Sequence, residues 1–412
     1  MLENKDNLKK IVFFILILNP FIDVATSLYL KVFKGNNMFT PGIIIRNVIL
    51  LYLIFYFIRH KDKIKNLILL AMTLILTMVV QIFYGVNYNV FLEIQYYFRF
   101  LLNFLFLIFI EDILKLFKYE NKIAKQILRY INYSGAIFAL IIVLSFIFGV
   151  DFKTYRSSFS SKGLFYAGNE VAAVLSVVYP ISIYFLVSGE NVILNYFLYI
   201  ATLLSMVLVG TRVALGSIIV TLIAFIIFSL YSYNKNLLNK IVKIILLSMI
   251  CVFVFIKGVL YFKNINLVQH NIERQIENYE KTQKDTTTYV LSSRNIKLKQ
   301  AYKEYKESPL IRKVFGIGRG SQKLTIEMDF AEVVIYYGIF GTITMLLPVI
   351  TRGVRYILKI LSFNKDVLYI SIFLSLALGF GSSFLAGHVL FSAAGIYSFM
   401  ILGIASCFTE KE

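Results

Sequence analysis

VAAVLSVVYPISIYFLVS, residues 171–188, is eighteen residues long and carries no charge. A hydrocarbon core about 30 Å thick is crossed by roughly 20 apolar residues of helix, so this stretch reads as a membrane span. Runs of the same kind start near Ile11, Gly42, Leu67, Phe91, Tyr130, Ile193, Val213, Ile244, Phe330, Val367 and Val389, which makes twelve in all. Backbone groups in lipid must be satisfied within the segment, and none of these runs alternates apolar with polar residues as a barrel strand would. The fold class expected is an all-α polytopic membrane protein of about twelve transmembrane helices. The first run follows the charged segment MLENKDNLKK with no small-residue cleavage site after it, and is expected to be a retained signal-anchor.

Composition agrees. Of 412 residues 58% are hydrophobic and only 16% charged, and mean hydropathy is +0.75, too apolar for a water-soluble chain. Cys251 and Cys407 both lie inside apolar runs, which excludes a disulfide scaffold and any CxxC site. The net charge of +19 would point to nucleic acid in a soluble protein. Here its distribution gives another answer. With the N-terminus inside, the short inner loops hold sixteen Lys and Arg against six in the short outer loops. The basic excess is therefore topogenic, no nucleic acid is expected as a partner, and both termini are placed in the cytoplasm.

One long polar segment breaks the pattern. The expected organisation is transmembrane helices 1–9 over residues 1–262, an extracytoplasmic loop over 263–328, and transmembrane helices 10–12 over 329–412. Within the loop, RNIKLKQAYKEYKES from Arg294 places Ile296, Leu298, Ala301, Tyr302 and Tyr305 at helical spacing, an amphipathic helix for the membrane surface. GIGRG, residues 316–320, is expected to end it as a flexible turn; without a following GK[ST] it is no P-loop.

Charge inside spans is expensive and therefore informative. Asp23, Arg46, Glu93, Arg99, Glu170, Lys257 and Glu332 lie in or at the edges of spans, with Arg212 and His388 at outer turns. In the assigned topology Asp23, Arg46, Glu93, Arg99, Glu170 and Glu332 all fall in outer halves, the pattern of a site that opens outward rather than of a relay across the bilayer. The alternative is that Asp23 with Arg46, and Glu93 with Arg99, are ion pairs that fix helix packing. An arginine-rich pocket suits a polyanion, because the guanidinium fork binds phosphate oxygens bidentately. No HExxH, paired metal-ligand carboxylates or GxSxG elbow occurs, and with three histidines in total no metal site is expected.

The segments KGLFYAGNEVAAVLSVVYP from Lys162, VLVGTRVALGSIIV from Val207, LSSRNIKLKQAYKEYKESPLIRKVFGIGRG from Leu291, IEMDFAEVVIYYGIFGTI from Ile326 and AGHVLFSAA from Ala386 follow one another in this order. Together with NPFIDVATSL and Arg46 they resemble the O-antigen polymerase and ligase superfamily, in the branch found in low-GC bacteria. The resemblance covers most of the chain. It implies a GT-C-like fold in the bacterial plasma membrane and transfer of a glycan from an undecaprenyl-pyrophosphate carrier, without a cofactor. It implies as partners that lipid-linked glycan, the bilayer, and the flippase and chain-length regulator of the same pathway. By similarity Arg212 and Arg294 hold the pyrophosphate, with Arg46 and Arg99 as further candidates. Asp23, Glu93, Asn169, Glu170, Glu332 and His388 are candidate pocket residues.

Ligases of this superfamily carry a histidine eleven residues before the glycine that is Gly338 here; this chain has Glu327 at that register, with Asp329 two residues on. The departure weakens a direct ligase assignment, and the leading expectation is a polymerase of oligosaccharide repeat units for a capsular or exported polysaccharide. A ligase and a lipid-linked glycan flippase are the alternatives. A carboxylate is chemically suited to take a proton from an attacking hydroxyl, so Glu327 and Asp329 are the candidate bases. The competing reading is that both cap the helix that follows.

Overall fold

The computed structural model describes residues 5–35, 39–59, 64–85, 87–154, 160–232, 234–263, 291–322, 325–363 and 366–410, with isolated positions between 273 and 288. The helices are α1 (Lys5–Lys31), α2 (Pro41–Arg59), α3 (Ile64–Phe83), α4 (Val90–Leu116), α5 (Asn121–Ile147), α6 (Gly168–Ser188), α7 (Val192–Val209), α8 (Arg212–Tyr231) and α9 (Lys235–Lys263). After the polar segment come α10 (Arg294–Glu307), α11 (Leu310–Phe315), α12 (Asp329–Gly341), a π-helical turn (Thr342–Leu346), α13 (Leu347–Phe363), α14 (Val367–Ala386) and α15 (Gly395–Glu410). Among the described residues ten helices are long and apolar enough to cross a membrane, and the protein is an all-α polytopic membrane protein. The two other expected spans are also helices, α4 and the shorter α15.

The chain forms two compact units. The first holds residues 1–44, 113–277 and 359–379. Its centre is α6, whose side chains from Val171 to Val187 are all buried, as expected of a helix apolar around its whole circumference. α5 comes close to α6 at Gly135, where a Cβ would lie 2.5 Å from Val178, so a small residue is required there. Hydroxyls then link neighbours: Ser182 donates to Asn132 at 2.6 Å, Tyr179 meets Tyr199 at 2.9 Å, and Tyr199 meets Ser248 at 2.6 Å. The outer helix α8 turns Ile219, Ile223, Ile227 and Leu230 outward, each at least half exposed. A stripe of that length would be an aggregation hazard in water and is the normal surface in lipid.

The second unit holds residues 45–112, 278–358 and 380–412. Here α4 is central, buried without a break from Phe100 to Ile110. Asn103 donates to the carbonyls of Val389, Leu390 and Ser392 at 2.9–3.2 Å, which ties the irregular segment between α14 and α15 to α4. The GIGRG turn departs from expectation: residues 316–320 are buried, and the amides of Ile317 and Gly318 donate to the carbonyls of Ile335 and Tyr336 at 3.0 Å. This needs glycine on both sides. Gly316 has φ +85° and a Cβ there would strike the Tyr336 carbonyl, while Gly338, at φ +65° inside α12, faces the backbone of residues 313–316. Gln81 of α3 donates to the Gly316 carbonyl at 2.7 Å and Thr77 to that of Phe315, also at 2.7 Å.

The expected one-sidedness of buried charge is also corrected. Glu111, eighteen residues beyond Glu93 and so about 27 Å further along α4, is 3% exposed and accepts both Nε and a terminal nitrogen of Arg352, at 2.6 and 3.1 Å. Ser406 of α15 donates to the same carboxylate at 2.6 Å. The pair is bidentate and locks α4, α13 and α15 together. Arg352→Met should lower stability by about 3–5 kcal/mol, because Glu111 is left buried without its counter-charge. The double variant Glu111→Leu/Arg352→Met should recover most of that loss in a detergent thermal-unfolding series; a double variant no better than the single would contradict this account.

Candidate functional site

The carboxylates singled out in the sequence meet at the start of α12, in the second unit. Asp329 is 2% exposed, and both its oxygens are filled. Ser383 Oγ donates at 2.7 Å, and the amides of His388, Val389 and Leu390 at 3.1, 2.9 and 2.8 Å. The helix N-cap is Met328, not Asp329, so this carboxylate serves the turn after α14 rather than its own helix. Glu332, 1% exposed, reaches back to accept the amide of Glu327 at 2.9 Å and takes the hydroxyl of Tyr96 on its other oxygen. Two buried carboxylates one turn apart persist because each is saturated with donors.

Glu327 differs. Its side chain is about 30% exposed; Lys297 Nζ donates to Oε1 at 2.6 Å and Arg294 Nε stands 3.4 Å from Oε2. Burial opposes ionisation, but the Lys297 hydrogen bond and charge, with Arg294 and His388 beyond, outweigh it and hold the Glu327 carboxyl below the ordinary glutamate range. The stabilising ion pair is therefore complete at neutral pH and is lost as pH falls through that depressed value. Arg294 is 8% exposed, an unusual burial for a guanidinium, and its Nε has no aligned hydrogen bond. α10 places Arg294, Lys297 and Ala301 on its inner side while Ile296 and Tyr302 face outward, so two of the five residues proposed for an apolar stripe are not in it.

The backbone here is strained. Among the described residues eight non-glycines have positive φ, and four of them, Ser292, Ser293, Glu327 and His388, flank this cluster. Each such position is uncommon and costs of order 1–3 kcal/mol, so the concentration marks a place where the surroundings over-determine the chain. Gly387 makes the close approach possible: a Cβ on it would stand 2.8 Å from the Glu327 carbonyl group. His388 follows, with its Nε2 buried and lacking a hydrogen-bond partner.

Glu93 and Arg99 do not pair. Glu93 is fully buried and accepts the amide of Gly320 at 2.7 Å, whereas Arg99 is exposed on another face of α4. Arg46 is half-buried on α2 in the same unit. Asp23, Asn169, Glu170 and Arg212 belong to the first unit: Asp23 is half-buried late in α1, Asn169 and Glu170 open α6, and Arg212 is exposed at the start of α8 behind the Thr211 cap. Three residues beside the cluster were not predicted. Lys297 lies one turn after Arg294. Arg319, the arginine of GIGRG, is 8% exposed, donates to Gln322 O at 2.6 Å and Thr325 Oγ1 at 2.9 Å, and faces the rings of Tyr96 and Tyr336. Tyr96 completes Glu332. Spacing carried a signal only for Lys297, at i+3 from Arg294.

The arrangement offers one half-exposed carboxylate between two cations, on a floor of saturated buried acids. It can take up a proton and, through Arg294 and Lys297, hold an anion. The family model for O-antigen ligase like membrane proteins matches residues 5–288 and 263–407, nearly the whole chain. The protein belongs to the O-antigen ligase like membrane protein family. Membership points to transfer of a lipid-linked glycan by a multi-pass membrane protein. No curated protein matches the chain.

The hydrogen-bond pattern predicts separable roles. Asp329→Ala should speed amide hydrogen exchange at 388–390 by at least tenfold, because four donors lose a charged acceptor. Glu327→Ala should leave exchange in that turn unchanged. Equal protection in the Asp329 variant would show that the turn is held by other means.

Proposed function

We propose that the protein is a glycosyltransferase that polymerises undecaprenyl-pyrophosphate-linked oligosaccharide repeat units on the outer face of a bacterial plasma membrane, for a capsular or exported polysaccharide. The observation that carries this is Glu327 at the family's histidine register, half-exposed and ion-paired with Lys297 and Arg294.

The chemistry needs few parts. Glu327 takes the proton of an acceptor sugar hydroxyl as that oxygen forms its bond to the anomeric carbon of the donor glycan. The bond from the anomeric carbon to the pyrophosphate oxygen breaks, and the electron pair leaves with the lipid pyrophosphate. Arg294 and Lys297 stabilise the charge that grows there. In the resting site these two cations hold Glu327 at low basicity. A pyrophosphate drawn to them removes counter-charge from Glu327 and raises its affinity for a proton when the acceptor is bound. Asp329 and Glu332, with their oxygens occupied, hold the backbone that presents Glu327; in this reading they are positioning residues. The acceptor distinguishes the alternatives: repeat units extended on the carrier mark a polymerase, and glycan moved to a cell-wall or protein acceptor marks a ligase. A flippase and a chain-length regulator are the pathway partners this reading requires, and residues 263–328 face outward in it.

Glu327→Gln should insert and fold normally yet lose glycan transfer by about 10²–10⁴-fold, measured with purified lipid-linked repeat units. Transfer near the wild-type rate would remove Glu327 from the mechanism. Lys297→Ala should shift the acid limb of the pH–rate profile upward, since the largest influence lowering the Glu327 pKa is gone. An unshifted limb would mean that the titrating base is another group. Arg294→Lys should restore only part of the activity lost in Arg294→Ala, because a point charge does not reproduce the guanidinium fork.

A further inference from the structure

The short helix α11 takes no part in the glycan-transfer chemistry, and its side chains are arranged the wrong way round for water. Leu310 is 76% exposed and Ile311 43%. Arg312 is turned inward: its Nε donates to Gln81 Oε1 at 3.1 Å, and a terminal nitrogen stands 3.6 Å from Glu304. A helix lying in water keeps its cation out and its leucine in.

The height of α11 relative to the bilayer follows from what it touches, all of it within the second unit. α3 has 20 residues, about 30 Å of helix, and so matches the thickness of a hydrocarbon core. Thr77 and Gln81, which donate to the carbonyls of Phe315 and Gly316, stand about 9 and 3 Å short of its end at Phe83. α12 gives the same answer. The carbonyls of Ile335 and Tyr336, which accept the amides of Ile317 and Gly318, lie about 9–11 Å along the helix from Asp329. The Phe315 ring meets that of Phe340 at 5.7 Å. The end of α11 therefore lies beneath the ends of two membrane-crossing helices. The chain that follows it meets the condition for such a place, because its backbone is satisfied by neighbouring protein rather than by water. α3 itself turns Met72, Ile75, Val79 and Ile82 outward, each 45–60% exposed, and ends on Phe83 at 81%.

We infer that α11 is a shallow foot in the membrane, at the face where α12 begins, with Leu310 and Ile311 seated among the upper acyl chains. The partner is lipid hydrocarbon. The two exposed residues are aliphatic, they stand beside the end of a lipid-facing span, and the arginine between them and the turn is consumed inside the protein. Lys313, half-buried, has a stem long enough to carry its ammonium up to the headgroups. The foot is also tied to the helix above it: the Tyr305 hydroxyl of α10 donates to Lys313 O at 2.8 Å. Seating α11 in lipid thus sets how far from the bilayer α10 holds Arg294 and Lys297.

The chain has no tryptophan, so Leu310→Trp supplies a single fluorescent reporter. The full chain is reconstituted in phosphatidylcholine vesicles brominated either near the carbonyl or near the methyl end of the acyl chain, with iodide on both sides as the aqueous quencher. Leu310→Trp should be quenched about twofold more by the near-carbonyl bromines than by the deep ones, and by iodide about threefold less than free tryptophan. Ile75→Trp, in the middle of α3, should show the reverse order of the two lipids. Tryptophan has its own preference for membrane interfaces, so a second reporter is a nitroxide on Leu310→Cys in a Cys251→Ser/Cys407→Ser chain. It should collide more often with oxygen than with a water-soluble nickel chelate. If Leu310→Trp does not fold, Ile311→Trp carries the same expectation. Iodide quenching as strong as that of free tryptophan, or a nitroxide that favours the nickel chelate, overturns the lipid seat. Stronger quenching by the methyl-end bromines overturns its shallow depth, and protection from every quencher assigns the patch to a protein cover instead. The readout is depth, so it stands or falls independently of glycan transfer.

Discussion

The second unit turns on the carboxylate of Asp329. Three backbone amides from the segment that joins α14 to α15, and the hydroxyl of Ser383 in α14 itself, converge on its two oxygens. Buried inside the protein, those amides have no water to satisfy them, so irregular chain here survives only where other groups of the protein supply acceptors. Asp329 supplies them from one side. Asn103 supplies donors from the other, to the carbonyls at 389, 390 and 392. Between them the two side chains satisfy a stretch of backbone that neither helix nor lipid can serve. The same turn then presses Gly387 and His388 against Glu327 and holds it at φ +63°. The exposed carboxylate is thus placed by a buried one.

A second constraint follows from glycine. α12 breaks at Gly338, and the break admits the GIGRG turn, whose amides use the carbonyls of Ile335 and Tyr336. That turn in turn fixes Glu93, through Gly320, and carries Arg319 in among the aromatic rings. A register defined in sequence as eleven residues before Gly338 therefore has a physical meaning. It runs from the strained residue two before α12 to the point in the helix where a second chain segment crosses it.

Hydropathy made the helices legible, because a span declares itself within twenty consecutive residues. Eleven of the twelve expected runs start on helices; the last starts at Val389, in the irregular segment six residues before α15. The cluster at the head of α12 was legible for the same local reason: Glu327, Asp329 and Glu332 stand within six residues. What failed was pairing. Glu93 and Arg99 are neighbours in sequence but occupy different helix faces, and Glu93 satisfies itself 227 residues away. Glu111 belongs with Arg352, 241 residues on, and no local pattern links the two. GIGRG read as mobile because glycines are permissive; here positive φ and close backbone approach are used to bury it.

In the proposed reading Glu327 stands where ligases carry a histidine, and its neighbours make that exchange intelligible. A histidine can be neutral at physiological pH and acts as a base without help. A glutamate at the same place is already ionised, and two cations beside it would weaken it further as a base. Such a design is useful only if those cations have another task during the reaction. Arg294 is buried with its Nε not aligned to any acceptor, and Lys297 can rotate its ammonium through a single stem. Both can turn to an arriving pyrophosphate at small cost. In the proposed mechanism donor binding and the recruitment of the base are one event, because the anion that occupies the clamp releases the carboxylate.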